Sequence, residues 1–182
     1  MNAYARALLA GVCAAGVGLW AATGAQAGEN WDACAMLRQA DVQGAFAPRQ
    51  FGPGVPGKSV VKSTPTMATV STCKYTSGGA TARERVSVSL LARRAPSDTT
   101  GVSPQAARAG AVQLKATPVD VAGLGEGAYW VNLGSSALPV LELNVFRGKR
   151  DWLVFSCAGS RLDTTLALAS LTRVAKATMA QP

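Results

Sequence analysis

Cysteine is the most reactive residue type in this chain, and histidine, its usual catalytic partner, is absent. Cys157 follows Leu153 and Phe155 at alternate positions of a predicted strand, which places it among apolar neighbours. A nucleophilic thiol needs a low pKa, which a histidine, a helix N-terminus or close cations would supply. Histidine is also the commonest general base and the commonest zinc ligand. We therefore expect a buried, unreactive Cys157, no metal, no cofactor and no enzyme activity.

The remaining cysteines predict one disulfide. Cys13 lies in an apolar N-terminal segment that we expect to be removed, which leaves Cys34, Cys73 and Cys157. An odd number in an oxidising compartment is most simply one bonded pair and one buried thiol. We predict the pair Cys34–Cys73, because it closes a loop that has little else to hold it. The chain-entropy estimate for such a bridge is roughly 3 to 4 kcal/mol of stabilisation.

Residues 123–127 carry glycine at every second position, a pattern that resembles a phosphate-binding loop. A dinucleotide-binding loop needs a helix after it and a third glycine one place later. Here strand-forming residues follow, and Glu126 would repel a phosphate. The pattern indicates a tight turn or bulge that enters a strand. The other carboxylates are scattered singly, without the pairing that glycosidase chemistry uses.

Two groups of basic residues lie at predicted strand ends and hairpin tips, where exposed charge is common. The net charge of +8 is consistent with an ordinary solvated surface, and also with peripheral contact to anionic lipid or glycan. No nucleic-acid-binding motif accompanies the charge, and we expect no nucleic acid as a partner. The first group comprises Arg83, Arg85, Arg93 and Arg94, and the second comprises Arg147, Lys149 and Arg150.

Aromatic residues on predicted strands offer the one candidate for a ligand pocket. Tyr129, Trp130 and Trp152 could line a space between sheet and helix, although aromatics on strands more often belong to an ordinary core. The predicted middle helix has a narrow face of small residues that includes Ala107 and Gly110. Such a face favours close packing on the sheet, which would leave little room for a cavity.

The elements that must position these residues follow the order helix, two strands, helix, three strands, helix. Ser103 and Asp163 are suitable N-caps for the middle and last helices. This order indicates an α+β fold, an antiparallel sheet of about five strands with N-terminal, middle and C-terminal helices packed on it. The predicted strands begin near Val70 and cover 85–91, 128–133, 140–146 and 152–157, and a Pro/Gly-rich loop occupies about 47–68.

The first 27 residues have the features of a secretory signal peptide. Arg6 gives a positive start, residues 7–22 are almost entirely apolar, and residues 25–27 form an Ala-x-Ala cleavage pattern. The apolar run is shorter than the roughly 20 residues that span a bilayer. We predict cleavage after Ala27 and a single globular domain, residues 28–182, in the periplasm or secreted medium.

Three sequence motifs occur together in this chain. A helix carries Cys34 and Leu37 as Cys-x-x-Leu, a strand carries Cys73 and Tyr75 as Cys-x-Tyr, and a glycine-rich turn leads into an aromatic strand. In these features the chain resembles a family of small exported bacterial domains of unknown function, well represented among actinobacterial lipoproteins. The resemblance implies a disulfide between the two motif cysteines and a PsbP-like sheet with helices. It implies no activity.

These observations favour an exported, non-catalytic binding or accessory protein of the bacterial cell envelope. Its partner would be another envelope protein or a small ligand held between sheet and helices. The alternative is a peripheral binder of anionic envelope lipid or glycan through the basic groups. An enzyme built on Cys157, or on carboxylates brought together by the fold, is the least favoured hypothesis.

Overall fold

Seven antiparallel strands form a single sheet in this computed structural model, which describes residues 31–57, 68–79, 81, 84–160 and 162–181. The strands are β1 (Val55–Pro56), β2 (Thr69–Thr76), β3 (Ser87–Arg94), β4 (Val119–Asp120), β5 (Tyr129–Asn132), β6 (Val140–Arg147) and β7 (Asp151–Ala158). The helices are α1 (Ala33–Met36), α2 (Gln39–Ala45), α3 (Pro104–Gln113) and α4 (Thr164–Met179). The predicted α+β class is confirmed, and the predicted signal peptide lies outside the described residues.

The strand order across the sheet is β1-β2-β3-β7-β6-β5-β4, so that β7 lies at its centre. β7 pairs with β3 on one side and with β6 on the other, and Phe155 faces Leu90 and Leu143 in the two registers. The sequence prediction of about five strands was low by two. Both additional strands, β1 and β4, are two-residue edge strands, too short to show an alternating pattern.

The main core lies on the sheet face that α1, α2 and α4 cover. Alternation along the long strands sends every second side chain to this face, as in Leu141, Leu143 and Val145 of β6. Asp163 is the N-cap of α4, and its side chain accepts a hydrogen bond from the Leu166 amide at 2.9 Å. Its buried stripe closes the core and includes Leu171.

The predicted disulfide is present and joins α1 to β2. Cys34 and Cys73 are bonded, with their Cα atoms 4.9 Å apart, while Cys157 is a buried free thiol. Two hydrogen bonds reinforce the junction. The Tyr75 hydroxyl donates to the Leu37 carbonyl at 2.7 Å, and the Ala33 amide donates to the Ser71 hydroxyl at 2.9 Å.

The opposite face of the sheet is covered only in part, by α3. Ser103 caps this helix by accepting a hydrogen bond from the Ala106 amide at 3.1 Å, and Pro104 occupies its first turn. Ala111 is the one buried residue of α3. Towards β3 the face is open, and Leu91 is 36% exposed there. Among the described residues, no helix is long and apolar enough to cross a membrane.

Candidate functional site

A groove of about 490 Å³ lies between α3 and the sheet face beneath it. Strands β5, β6 and β7 form its floor, and α3 forms one wall. Its principal lining residues are Ala107, Gly110 and Ala111 from α3, Leu114 at the C-cap of that helix, and Tyr129, Val131, Glu142, Asn144 and Trp152 from the strands. The groove is therefore mainly apolar, with two polar side chains on its floor.

The wall of the groove is made by the small residues of α3. A Cβ atom added at Gly110 would have no neighbour within 4 Å outside its own helix turn. The expected close packing of this small-residue face on the sheet is therefore present at Ala107 and Ala111 but not at Gly110. Ala111 packs with Tyr129 and Phe146, while the missing side chain at Gly110 leaves open space.

The floor of the groove is a fixed aromatic surface. The rings of Tyr129 and Phe146 stack with centroids 6.2 Å apart, and Phe146 stacks on Trp152 at 6.0 Å. The Trp152 indole N–H donates to the Asn144 side-chain oxygen at 2.9 Å, which fixes both side chains. The floor is consequently organised by the protein itself.

Of the three aromatics predicted to line a pocket, the structure brings two together. Tyr129 and Trp152 line the groove. Trp130 lies on the opposite face, where it packs against the main core. This is a correction to the predicted set, and its reason is the two-residue period of a strand, which sends neighbours 129 and 130 to opposite faces.

Among the described residues, Glu142 is the only charged side chain that lines the groove. It lies on β6 between Val131 of β5 and Ser156 of β7. Its carboxylate makes no hydrogen bond or ion pair with any residue that the structure describes. Burial raises its pKa above the ordinary value, because a partly dehydrated carboxylate is less stable in its charged form. Glu142 is a functional candidate that the sequence alone does not reveal, because its strand position gives no sign that a helix covers it.

Arg108 fastens α3 to the strands beside the groove. Its guanidinium lies over the Tyr129 ring, 4.6 Å from the centroid, and forms an ion pair with Asp120 of β4. Burial raises the pKa of Tyr129, although the Arg108 charge opposes that rise. Arg108 is thus engaged with Asp120 and Tyr129 and is not a partner of Glu142.

Members of both predicted basic groups meet around a buried carboxylate. Arg94 binds Asp151 through two hydrogen bonds of 2.8 and 2.9 Å, and Arg147 reaches the same carboxylate at 3.1 Å. The Trp31 ring lies 4.1 Å from the Arg94 guanidinium carbon. This polar pocket also contains Lys149 and Arg150 among its cations, and Asp98 and Glu126 among its carboxylates. The carboxylates offset most of the positive charge.

The other predicted basic residues lie apart from this cluster. Arg85 lines a separate surface pocket with Lys74, and its Nε donates to the Gly79 carbonyl at 3.3 Å. Arg93 pairs in register with Trp152 on the face that carries the groove. Arg83 lies outside the described residues. The two predicted groups therefore do not combine into one basic surface.

The other features that the sequence suggested for chemistry are the Cys157 thiol and the glycine-rich segment 123–127. Burial raises the pKa of Cys157 to about 12, which keeps the thiol protonated at neutral pH. Gly123, Gly125 and Gly127 have positive φ angles of 74°, 52° and 80°, so residues 123–127 form the predicted turn before β5. The described residues contain no cluster of three His, Cys, Asp or Glu side chains that could hold a metal ion.

Comparison with known proteins does not identify a function for this groove. No protein-family model matches the chain, and no curated protein matches it. The solved extracellular domain of PknH from Mycobacterium tuberculosis is similar with a TM-score of 0.43 and 9% sequence identity. The match covers 81% of this chain and 94% of that domain. A likeness this distant assigns neither a family nor an activity to the chain.

Proposed function

We propose that this protein is an exported, non-catalytic binding protein of the bacterial cell envelope that holds a small, largely apolar ligand in the groove under α3. The observation that carries the proposal is the groove itself. Its volume of about 490 Å³ lies within the roughly 300 to 1,000 Å³ typical of small-molecule sites. Such sites combine apolar walls with a few convergent polar groups, as this groove does.

The two sides of the groove suit this task in different ways. The floor is rigid, because the strands and the bond between Trp152 and Asn144 fix its shape. The wall is a single helix fastened mainly through Arg108 and Ala111. A rigid floor lowers the entropy cost of binding, and a lightly held helix can adjust to the ligand.

Export and the lack of catalysis rest on separate observations. The Cys34–Cys73 disulfide and the predicted signal peptide support an oxidising compartment. The chain has no histidine, and its free thiol is buried with a raised pKa. Within the part of the chain that the structure describes, no activated nucleophile accompanies the groove.

Peripheral contact with anionic lipid or glycan is the less supported function. Arg94 and Arg147 are both paired with Asp151, and pairing reduces the charge that they offer to a surface. Exposed Lys149 and Arg150 remain beside Glu126 and Asp98. By contrast, the apolar residues that line the groove face open space within the described structure.

The experiment uses a groove-filling variant and a neutral apolar dye, N-phenyl-1-naphthylamine. Gly110→Leu places a side chain in the open space of the groove, and it replaces a helical glycine by a better helix former, which favours α3 by roughly 1 kcal/mol. Ala109→Leu is the matched control, since Ala109 is on the exposed side of the same helix. Dye fluorescence and thermal unfolding are measured for all three proteins.

We expect saturable binding of one dye molecule by the wild type and by Ala109→Leu. Gly110→Leu should lose at least tenfold in affinity without a lower unfolding temperature. Equal affinity in Gly110→Leu would place the dye elsewhere, and absence of saturable binding to the wild type would remove the groove as an apolar site. A native mass spectrum of protein purified from the periplasm would reveal any ligand that is retained.

A further inference from the structure

The charge inside the groove restricts the chemistry of its ligand. Glu142 is the only charged residue in the described lining, and it lies on β6, the middle of the three strands that form the floor. Val131 and Ser156 are its neighbours in register, and neither carries a charge. A ligand that lies along the floor must therefore pass close to one carboxylate and to no cationic side chain of that lining.

This carboxylate lacks, among the residues that the structure describes, the partner that a partly buried charge normally has. The described cation on α3, Arg108, is bound to Asp120 and to the face of Tyr129. Glu142 is half-buried, and even the partial removal of a carboxylate from water without a hydrogen bond or a counter-charge is unfavourable. A ligand that brings a positive charge would remove this cost, whereas an anionic ligand would increase it.

The aromatic residues of the floor suit the apolar part of such a ligand. Tyr129 and Trp152 line the groove together with Glu142. The Tyr129 face already carries the Arg108 guanidinium, so the contribution of the aromatic floor is apolar area that holds a hydrocarbon body. A carboxylate between aromatic rings and aliphatic walls thus complements a molecule with a positive head and an apolar body.

We propose that the groove binds an apolar amine, whose protonated amino group donates to the Glu142 carboxylate while its hydrocarbon body lies between α3 and the aromatic floor. This inference rests on the proposed function, because it assigns the head group of a ligand for the same groove. An ammonium–carboxylate hydrogen bond in such a site contributes roughly a ten- to hundredfold gain in affinity.

The test uses three probes that share one hydrocarbon chain and differ in the head group. Octylamine is cationic at neutral pH, 1-octanol is neutral and octanoate is anionic. Their dissociation constants are measured by calorimetry for the wild type, for Glu142→Gln and for Glu126→Gln. The Glu142→Gln variant keeps the size of the side chain without its charge. Glu126 is an exposed carboxylate outside the groove, so its variant is the control.

We expect octylamine to bind the wild type at least tenfold more tightly than 1-octanol, and octanoate to bind most weakly. Glu142→Gln should remove the advantage of the amine and leave 1-octanol unchanged, while Glu126→Gln should behave as the wild type. Equal affinities for amine and alcohol, or a preference for octanoate, would overturn the amine assignment and leave the apolar groove intact. Binding of none of the three probes would overturn both the assignment and the proposed function.

Discussion

In the unliganded protein, the partly buried Glu142 carboxylate lowers the free energy of unfolding. The pH dependence of that free energy measures the effect. Burial raises the folded-state pKa of this carboxyl above its unfolded value, so the folded protein holds the proton more tightly. The contribution of Glu142 to stability is therefore most favourable at low pH and declines as the pH rises through its folded pKa. Above that pH the ionised carboxylate is a destabilising group.

Replacing Glu142 by glutamine should accordingly stabilise the unliganded protein at neutral pH. The gain in the free energy of unfolding should shrink as the pH falls and vanish in acid, where both side chains are neutral. Tyr129, the titratable neighbour of Glu142 in the groove, stays protonated over this range because its own pKa is raised. Arg108 of α3 lies over the Tyr129 ring and is paired with Asp120. Urea unfolding of both proteins across this pH range measures the difference. A variant that is less stable at neutral pH would show that Glu142 has a structural partner.

Single residues also show what the sequence can and cannot reveal about the site. Alternation along β6 correctly assigns Leu141, Leu143 and Val145 to the core, and so sends Glu142 to the other face. The same rule separates Trp130 from Tyr129. Local patterns could not show that α3 covers Glu142, because that contact joins segments that are distant in the chain.

At the scale of elements, α3 is less firmly held than α4. It has ten residues and one buried side chain, and helices of this length are marginal without tertiary packing. α4 has sixteen residues and a buried stripe in the main core. The two helices therefore differ in how far they depend on the sheet.

We expect the amides of α3 to exchange with solvent much faster than those of α4, by roughly a hundredfold or more. Hydrogen exchange followed by mass spectrometry would resolve the two helices in one experiment, with α4 as the internal reference. Adding octylamine should slow exchange in α3 and leave α4 unchanged. Equal protection of both helices would mean that α3 is fixed as firmly as the core.

Elements were predictable in proportion to their length and periodicity. The long strands β2, β3, β6 and β7 alternate clearly, and Asp163 marks the start of α4. β1 and β4 have two residues each, which is too short for alternation to be recognised. The gap beside Gly110 was not predicted, because small residues can either let a helix pack closely or leave space between it and the sheet.

At the scale of the whole molecule, the disulfide is the main covalent constraint. Cys34 and Cys73 are 39 residues apart, and closing a loop of that length stabilises a fold by about 4 kcal/mol in the chain-entropy estimate. That effect acts on the unfolded chain, so loss of the bond should lower the stability of every element together. The sequence indicated this pairing from the number of cysteines and from a loop that has little else to hold it, and the family resemblance implied the same bond.

Replacing both Cys34 and Cys73 by serine should therefore lower the free energy of unfolding by about 4 kcal/mol. Denaturant unfolding followed by tryptophan fluorescence and by circular dichroism would test whether the loss is global. Wild-type protein treated with a phosphine reductant is the control, and it should lose the same amount. Local loosening of α1 with unchanged global stability would contradict the loop-closure explanation.

The two short edge strands have a consequence for how this protein behaves in a crowded compartment. An exposed sheet edge is a template on which another chain can add a strand, and long, flat edges lead to aggregation. Each edge strand offers only two residues, and Pro56 in β1 has no amide hydrogen to donate. Neither of these two edge strands offers a long run of backbone to a neighbouring chain, and we therefore expect strand addition at β1 and β4 to be disfavoured.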